Sequence, residues 1–154
     1  MQRKAGTMTR KDSEHARVTD QLCFALHATS RAVVGAYTER LAALGLTYTQ
    51  YLTLLAIWEN DGSTVKELGQ ALDLDSGTLS PVLKKLHSEG LIRKERSPDD
   101  ERLVFVFVTE AGKELEGKTG KVRAEVEALT GLDDEEFSQL RTMLHTLRER
   151  LTAT

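Results

Sequence analysis

From about Ala16 to Leu44, Leu22, Ala25, Leu26, Val33 and Ala36, with Thr29 among them, return at three- and four-residue steps. That spacing predicts one long amphipathic helix, closed by Gly45. Thr47 and Gln50 stand three apart ahead of the apolar run YLTLLAIW. They form a capping box that opens a second helix, ending near the Asn60 to Gly62 turn. Thr64 and Glu67 repeat the box and start a short helix through about Leu72. LDLDSG breaks that helix, and Asp75 or Ser76 caps the next, whose Leu79, Val82, Leu83 and Leu86 share one face before the stop at Gly90. Pro81, five or six residues past the cap, is late for a proline and predicts local distortion.

After Gly90 the period changes. LIRKER and LVFVFV are rich in β-branched and aromatic residues, and the polar SPDDE segment joins them into a two-stranded antiparallel hairpin. Thr109 to Leu129 and Asp133 to Leu151 read as two further helices, the second capped by Asp133 with Glu136 at its third position. Gly117 and Gly120 each cost the first of these about 1 kcal/mol relative to alanine. Trp58 and Phe24 read as core. The expected fold is mainly α with a small β-hairpin wing: a winged helix-turn-helix in which the N- and C-terminal helices form a dimerisation region. Residues 1–15 read as a tail, and 16–154 as a single domain. Within it, 16–45 and 110–154 supply the dimerisation helices and 46–109 a DNA-binding lobe.

The chain has 154 residues, 40% of them hydrophobic, enough for one ordinary domain. It carries no apolar run of membrane-spanning length and no secretory signal pattern, which predicts a cytoplasmic protein without a membrane role. The net charge of -3 conceals segregation. Between Ser80 and Arg96, Lys84, Lys85, Arg93, Lys94 and Arg96 face only Glu89 and Glu95, while acids gather at Glu125, Glu127 and Asp133 to Glu136. One basic face can therefore meet a polyanion although the whole chain is acidic; solvated helix faces are the plainer alternative.

In a winged module the second helix of the helix-turn-helix enters the major groove by its N-terminal residues. Here it starts DSGTLSPVLKKL. Ser76, Thr78 and Ser80 are short hydroxyl residues able to bond bases or phosphates, with Lys84 and Lys85 further along, and Asp75 beside them. Asp75 to Gly77 also serve as an ordinary cap. At the hairpin tip, acids next to DNA make sense if Asp100 orients the guanidinium of Arg102 toward a groove; the alternative is a salt-bridged turn.

Cys23 is the only cysteine. It cannot form an internal disulfide, so it is either inert packing or a reactive thiol. If Thr19 or Asp20 caps its helix, the helix dipole stabilises a thiolate there; a start near Ser13 removes that help.

Asp100-x-Arg102, Val106 and Val108-Thr109-x-x-Gly112 resemble the wing signature of the MarR family of bacterial transcription regulators. With QLCFAL, GLTYTQYLTLLAIWE, TVKELGQALDLDSGTLSPVLKKL and RSPDDERLVFVFVT, the likeness narrows to the organic-hydroperoxide-sensing, OhrR-type branch over about Gln21 to Gly112. The resemblance implies a homodimeric repressor of palindromic operator DNA, released when organic hydroperoxides oxidise the cysteine matching Cys23. It implies that Tyr37 and Tyr48 hydrogen-bond the thiol across the dimer and that Ser76, Thr78 and Arg102 contact DNA. His27 departs from the pattern, since related proteins often carry tyrosine there, and the absence of a second cysteine resembles the one-cysteine type.

Helix geometry constrains that arrangement. Cys23 and Tyr37 lie fourteen residues apart on one predicted helix, about 21 Å at the α-helical rise, far beyond a hydrogen bond. A tyrosine serving Cys23 must come from a second, antiparallel copy. With no partner cysteine in the chain, oxidation to a sulfenic acid is followed reversibly by a small thiol or by Cys23 of another chain. Two other functions stay open: a MarR-type repressor released by a small phenolic or lipophilic ligand, and a thiol peroxidase, which lacks a CxxC or resolving cysteine. No cofactor, metal or enzyme activity is expected.

Overall fold

The computed structural model describes residues 17–153, so the tail expected at residues 1–15 lies outside them. The chain divides into two compact units, one ending at Gly35 and the other beginning at Ala36. In the first, a 3-10 turn over Val18–Asp20 is followed by Gln21 in extended backbone (φ -89°, ψ 130°), and helix α1 (Leu22–Leu41) begins directly after it. The helix therefore starts six residues later than the apolar spacing predicts. A 3-10 turn keeps nearly the same three-residue recurrence of side chains, so the break is invisible to periodicity. Phe24 is 40% exposed rather than part of a core, and Leu22 is 61% exposed. Leu41 is the one buried residue of α1, with Ala36 and Tyr37 partly buried against the core of the second unit.

In the second unit α1 ends at Leu41, a 3-10 turn over Ala42–Leu44 follows, and Gly45 at φ +69° takes the left-handed conformation that closes it. Helix α2 (Tyr48–Glu59) carries the expected capping box: Gln50 N donates to Thr47 Oγ1 at 3.2 Å, and Thr47 N donates to Gln50 Oε1 at 2.9 Å. Strand β1 (Ser63–Thr64) leads into α3 (Val65–Leu72), capped by Thr64 and Glu67 in the same way. Asp73 turns the chain at φ +53°, Asp75 caps α4 (Ser76–Ser88), and α4 continues through Pro81 as one helix.

Strands β2 (Ile92–Arg96) and β3 (Val104–Val108) pair antiparallel, Ile92 opposite Val108 and Arg96 opposite Val104. The sheet has three strands rather than two, in the order β1-β3-β2, with Ser63 opposite Val106. A two-residue strand has no period to read, and its partner lies some forty residues downstream. Asp61 fixes this junction by accepting the Val108 N–H at 2.8 Å.

Helix α5 (Glu110–Leu129) passes unbroken through Gly117 and Gly120, and α6 (Asp134–Thr152) carries the expected Asp133–Glu136 capping box. The core joins Leu54 and Ile57 of α2, Leu68 of α3, Leu79, Leu83 and Leu86 of α4, and Ile92 and Val106 of the sheet, each at most 1% exposed. Burial of each such side chain contributes about 1.5–3 kcal/mol, which fixes α4 and the hairpin against α2 and α3. Trp58 packs beside this core as expected, its indole N–H donating to the Gly112 carbonyl at 3.2 Å. The architecture is mainly α with a β wing, as the sequence predicts. Among the described residues, no single helix is long and apolar enough to cross a membrane.

Candidate functional site

The segment α3, turn, α4 is a helix-turn-helix. Asp75 is the N-cap of α4: its Oδ1 accepts the Thr78 N–H at 2.7 Å, and that bond holds its carboxyl below the usual carboxylate range. The acid is thus committed to capping the helix and stays ionised. Ser76, Thr78 and Ser80 are all exposed along the first turns of α4, opposite the buried Leu79 and Leu83. Lys84 and Lys85 are exposed further on, and Lys85 pairs with Glu89 at 3.2 Å. A shallow groove along this edge is lined by α3 and turn residues together with Asp75, Ser76 and Arg102, so the wing arginine stands next to the start of α4.

At the wing tip Asp100 Oδ1 accepts both the Arg102 backbone N–H, at 3.0 Å, and Arg102 Nε, at 3.2 Å. The Arg102 side chain is 91% exposed despite this tether. The carboxylate therefore sets the direction of the guanidinium without covering it, the geometry a groove-reading arginine requires. The tip is held from below by Ser97, whose hydroxyl accepts the Asp99 and Asp100 N–H groups.

Tyr37, near the end of α1, and Tyr48, the first residue of α2, come together with ring centroids 5.5 Å apart. A third ring joins them: Tyr51 stacks on Tyr37 at 5.4 Å and is 2% exposed. Burial first, and then the oxygens of Tyr51, Glu127 and Tyr48, push Tyr37 up to about 12. Burial also raises Tyr48 and Tyr51, with Arg123 acting in the opposite sense on Tyr51. All three phenols therefore stay protonated at neutral pH, and Tyr37 and Tyr51 share a side-chain hydrogen bond. Tyr51 was not singled out from the sequence, although its place one turn after Tyr48 on α2 puts the two on one face.

Cys23 is the second residue of α1 and is exposed. The helix starts at Leu22, after both starts considered from the sequence and with neither Thr19 nor Asp20 as its cap, and the thiol lies in its first turn. His27 follows one turn later and is also exposed.

Residues 36–118 match the family described as transcriptional regulator SarA/Rot. The organic hydroperoxide resistance transcriptional regulator of Bacillus subtilis (strain 168) is 42% identical over 138 residues, covering 90% of this chain and 94% of that protein. Among solved structures, reduced AbfR bound to DNA superposes with a TM-score of 0.74 at 32% identity, covering 89% of this chain and 94% of the other. Overoxidised AbfR bound to DNA gives 0.70 at 32%, covering 88% and 95%. These relatives are regulators and not enzymes, and on that identity and coverage the chain belongs to the MarR family of winged-helix transcription regulators, in its organic hydroperoxide resistance branch.

Proposed function

We propose that two copies of this chain form a cytoplasmic repressor that binds a palindromic operator and releases it when an organic hydroperoxide oxidises Cys23. The observation that carries the reading is the pairing of Tyr37 with Tyr48 as protonated donors on one surface. On a single α-helix Cys23 and Tyr37 are separated by about 21 Å, so these donors serve the thiol of a second, antiparallel copy. Asp75, Ser76, Thr78, Ser80, Lys84 and Lys85 of α4 then face DNA, and Asp100 aims Arg102 at the flanking groove.

The chemistry proceeds in two steps. The Cys23 thiolate attacks the terminal peroxide oxygen, the O–O bond breaks, and the alkoxide leaves and takes a proton to become the alcohol, with the sulfur now a sulfenic acid. A small thiol then displaces the sulfenic oxygen as water and leaves a mixed disulfide. Lodged at the subunit seam, that bulky group favours another spacing of the two α4 helices, and a difference of about 3 kcal/mol weakens DNA binding more than a hundredfold. Two extra oxygens on sulfur add less bulk than a mixed disulfide, so DNA release is assigned here to the latter, and AbfR on DNA in an overoxidised state fits that assignment.

The test is an operator gel shift of reduced protein with and without organic hydroperoxide plus a small thiol. Native protein should release DNA, while Cys23→Ser should bind it and ignore the peroxide; a normal response by the serine variant overturns the sensing role. A second reading is favoured by the cleft of about 440 Å³ between α2 and α5, lined by Tyr51, Leu55, Trp58, Glu116 and Arg123. It is large enough for a small phenolic or lipophilic ligand. Operator release by such a ligand, with no response to peroxide, would make Cys23 a bystander.

A further inference from the structure

Side chains of a strand alternate between the two faces of its sheet, so Ile92, Lys94 and Arg96 of β2 share one face and Arg93 and Glu95 the other. On the second face the charges are already engaged: the Arg93 guanidinium lies 4.2 Å over the Phe107 ring and pairs with Glu95. On the first face the strand starts in the core, with Ile92 1% exposed, and turns cationic toward the tip. Lys94 and Arg96 there line a groove of about 460 Å³ whose opposite wall is Ser80 and Leu83 of α4 and whose outer end is Arg102. Three cations and no carboxylate line it. Arg96 is braced by donating Nη1 to the Glu101 carbonyl at 2.8 Å, and Lys94 is exposed.

We infer that Lys94 and Arg96 form a seat for the DNA sugar-phosphate backbone between α4 and the wing. The inference rests on the DNA-binding reading above and adds two residues to it. With α4 in the major groove and Arg102 in the flanking minor groove, the ridge dividing the two grooves is a phosphate backbone, and it must pass over whatever lies between helix and wing tip. In this chain that place holds Lys94 and Arg96. Their contacts are with phosphate, so they add affinity without reading sequence.

Each phosphate neutralised adds about 0.9 to the slope of log K against log salt concentration, or roughly tenfold in affinity at 0.1 M salt. Fluorescence anisotropy of the full-length reduced protein across a salt series, on operator and on an unrelated duplex, reads this directly. Lys94→Ala and Arg96→Ala should each lower the slope by about 1 per subunit and weaken both duplexes by a similar factor. Arg93→Ala removes the same charge from the opposite face and should leave the slope unchanged. Circular dichroism melting of each variant checks that the wing is folded. Equal slopes for Lys94→Ala, Arg96→Ala and native protein, or an equal loss with Arg93→Ala, overturn the seat while leaving the DNA-binding reading intact. Failure of the native protein to bind any duplex removes both.

Discussion

The three tyrosines of the chain, Tyr37, Tyr48 and Tyr51, form a single cluster, and packing governs how they titrate. The phenol of Tyr37 ionises near 10 in an unfolded chain and near 12 here. The folded state thus holds a proton that the unfolded state has lost, and the associated stability is intact below pH 10 and disappears as the pH climbs from 10 through 12. Absorbance at about 295 nm, which follows tyrosinate, should show every phenol ionising above its ordinary pH, with the last step missing in Tyr37→Phe. Full ionisation of the native protein by pH 10 contradicts the cluster. At this scale much was legible in the sequence: Asp75 caps a helix and Asp100 holds Arg102, whereas the contact of Tyr37 with Tyr48 joins two helices and was not. Tyr51 was not, because a tyrosine amid an apolar helix run carries no sign of the stacking partner that comes from another helix. Phe24 was misread as core for a related reason, since an aromatic side chain on an apolar face does not say which chain will cover it.

Among the elements, those declared by local chemistry were read correctly. The boxes at Thr47–Gln50, Thr64–Glu67 and Asp133–Glu136 all form, because each is closed within four residues and needs nothing from the rest of the fold. The missed elements depend on distance or on subtle backbone phase: β1 exists only because β3 binds it, and the break at Gln21 hides behind an unbroken apolar rhythm. Gly112 shows how a local motif can encode tertiary contact. A Cβ at this third residue of α5 would collide with the Leu91 carbonyl oxygen and Val108 Cγ2, where the helix leaves the wing. Gly112→Ala should therefore destabilise the fold by about 1–3 kcal/mol, through displacement of α5 from the strands. Denaturant unfolding measures this, and an unchanged midpoint contradicts such close packing. Gly117 and Gly120 meet no such neighbour, so their cost to α5 is one of helix propensity alone.

For the whole molecule, the polarity of the surface matters more than any one bond. Leu22, Phe24 and Val33 of α1 are exposed, as are Leu140, Met143, Leu144 and Leu151 of α6. In the proposed dimer these residues pass from water into the subunit interface, and the same association carries the tyrosine donors to the thiol of the other copy. Periodicity could show that these helices are amphipathic but not what they face. The charge pattern was more informative, since the surplus of lysine and arginine in a net acidic chain ends on α4 and the wing. Sensing and DNA release are linked only if oxidation at one end of α1 changes how the two α4 helices are spaced. The most direct measurement is an operator anisotropy titration on one sample of native dimer: reduced, then treated with organic hydroperoxide and a small thiol, then reduced again with excess dithiol. The account predicts an affinity loss of more than a hundredfold after oxidation and full recovery on reduction, tracking a mixed disulfide on Cys23 by mass. An oxidised Cys23 mixed disulfide that still binds operator with native affinity would contradict it.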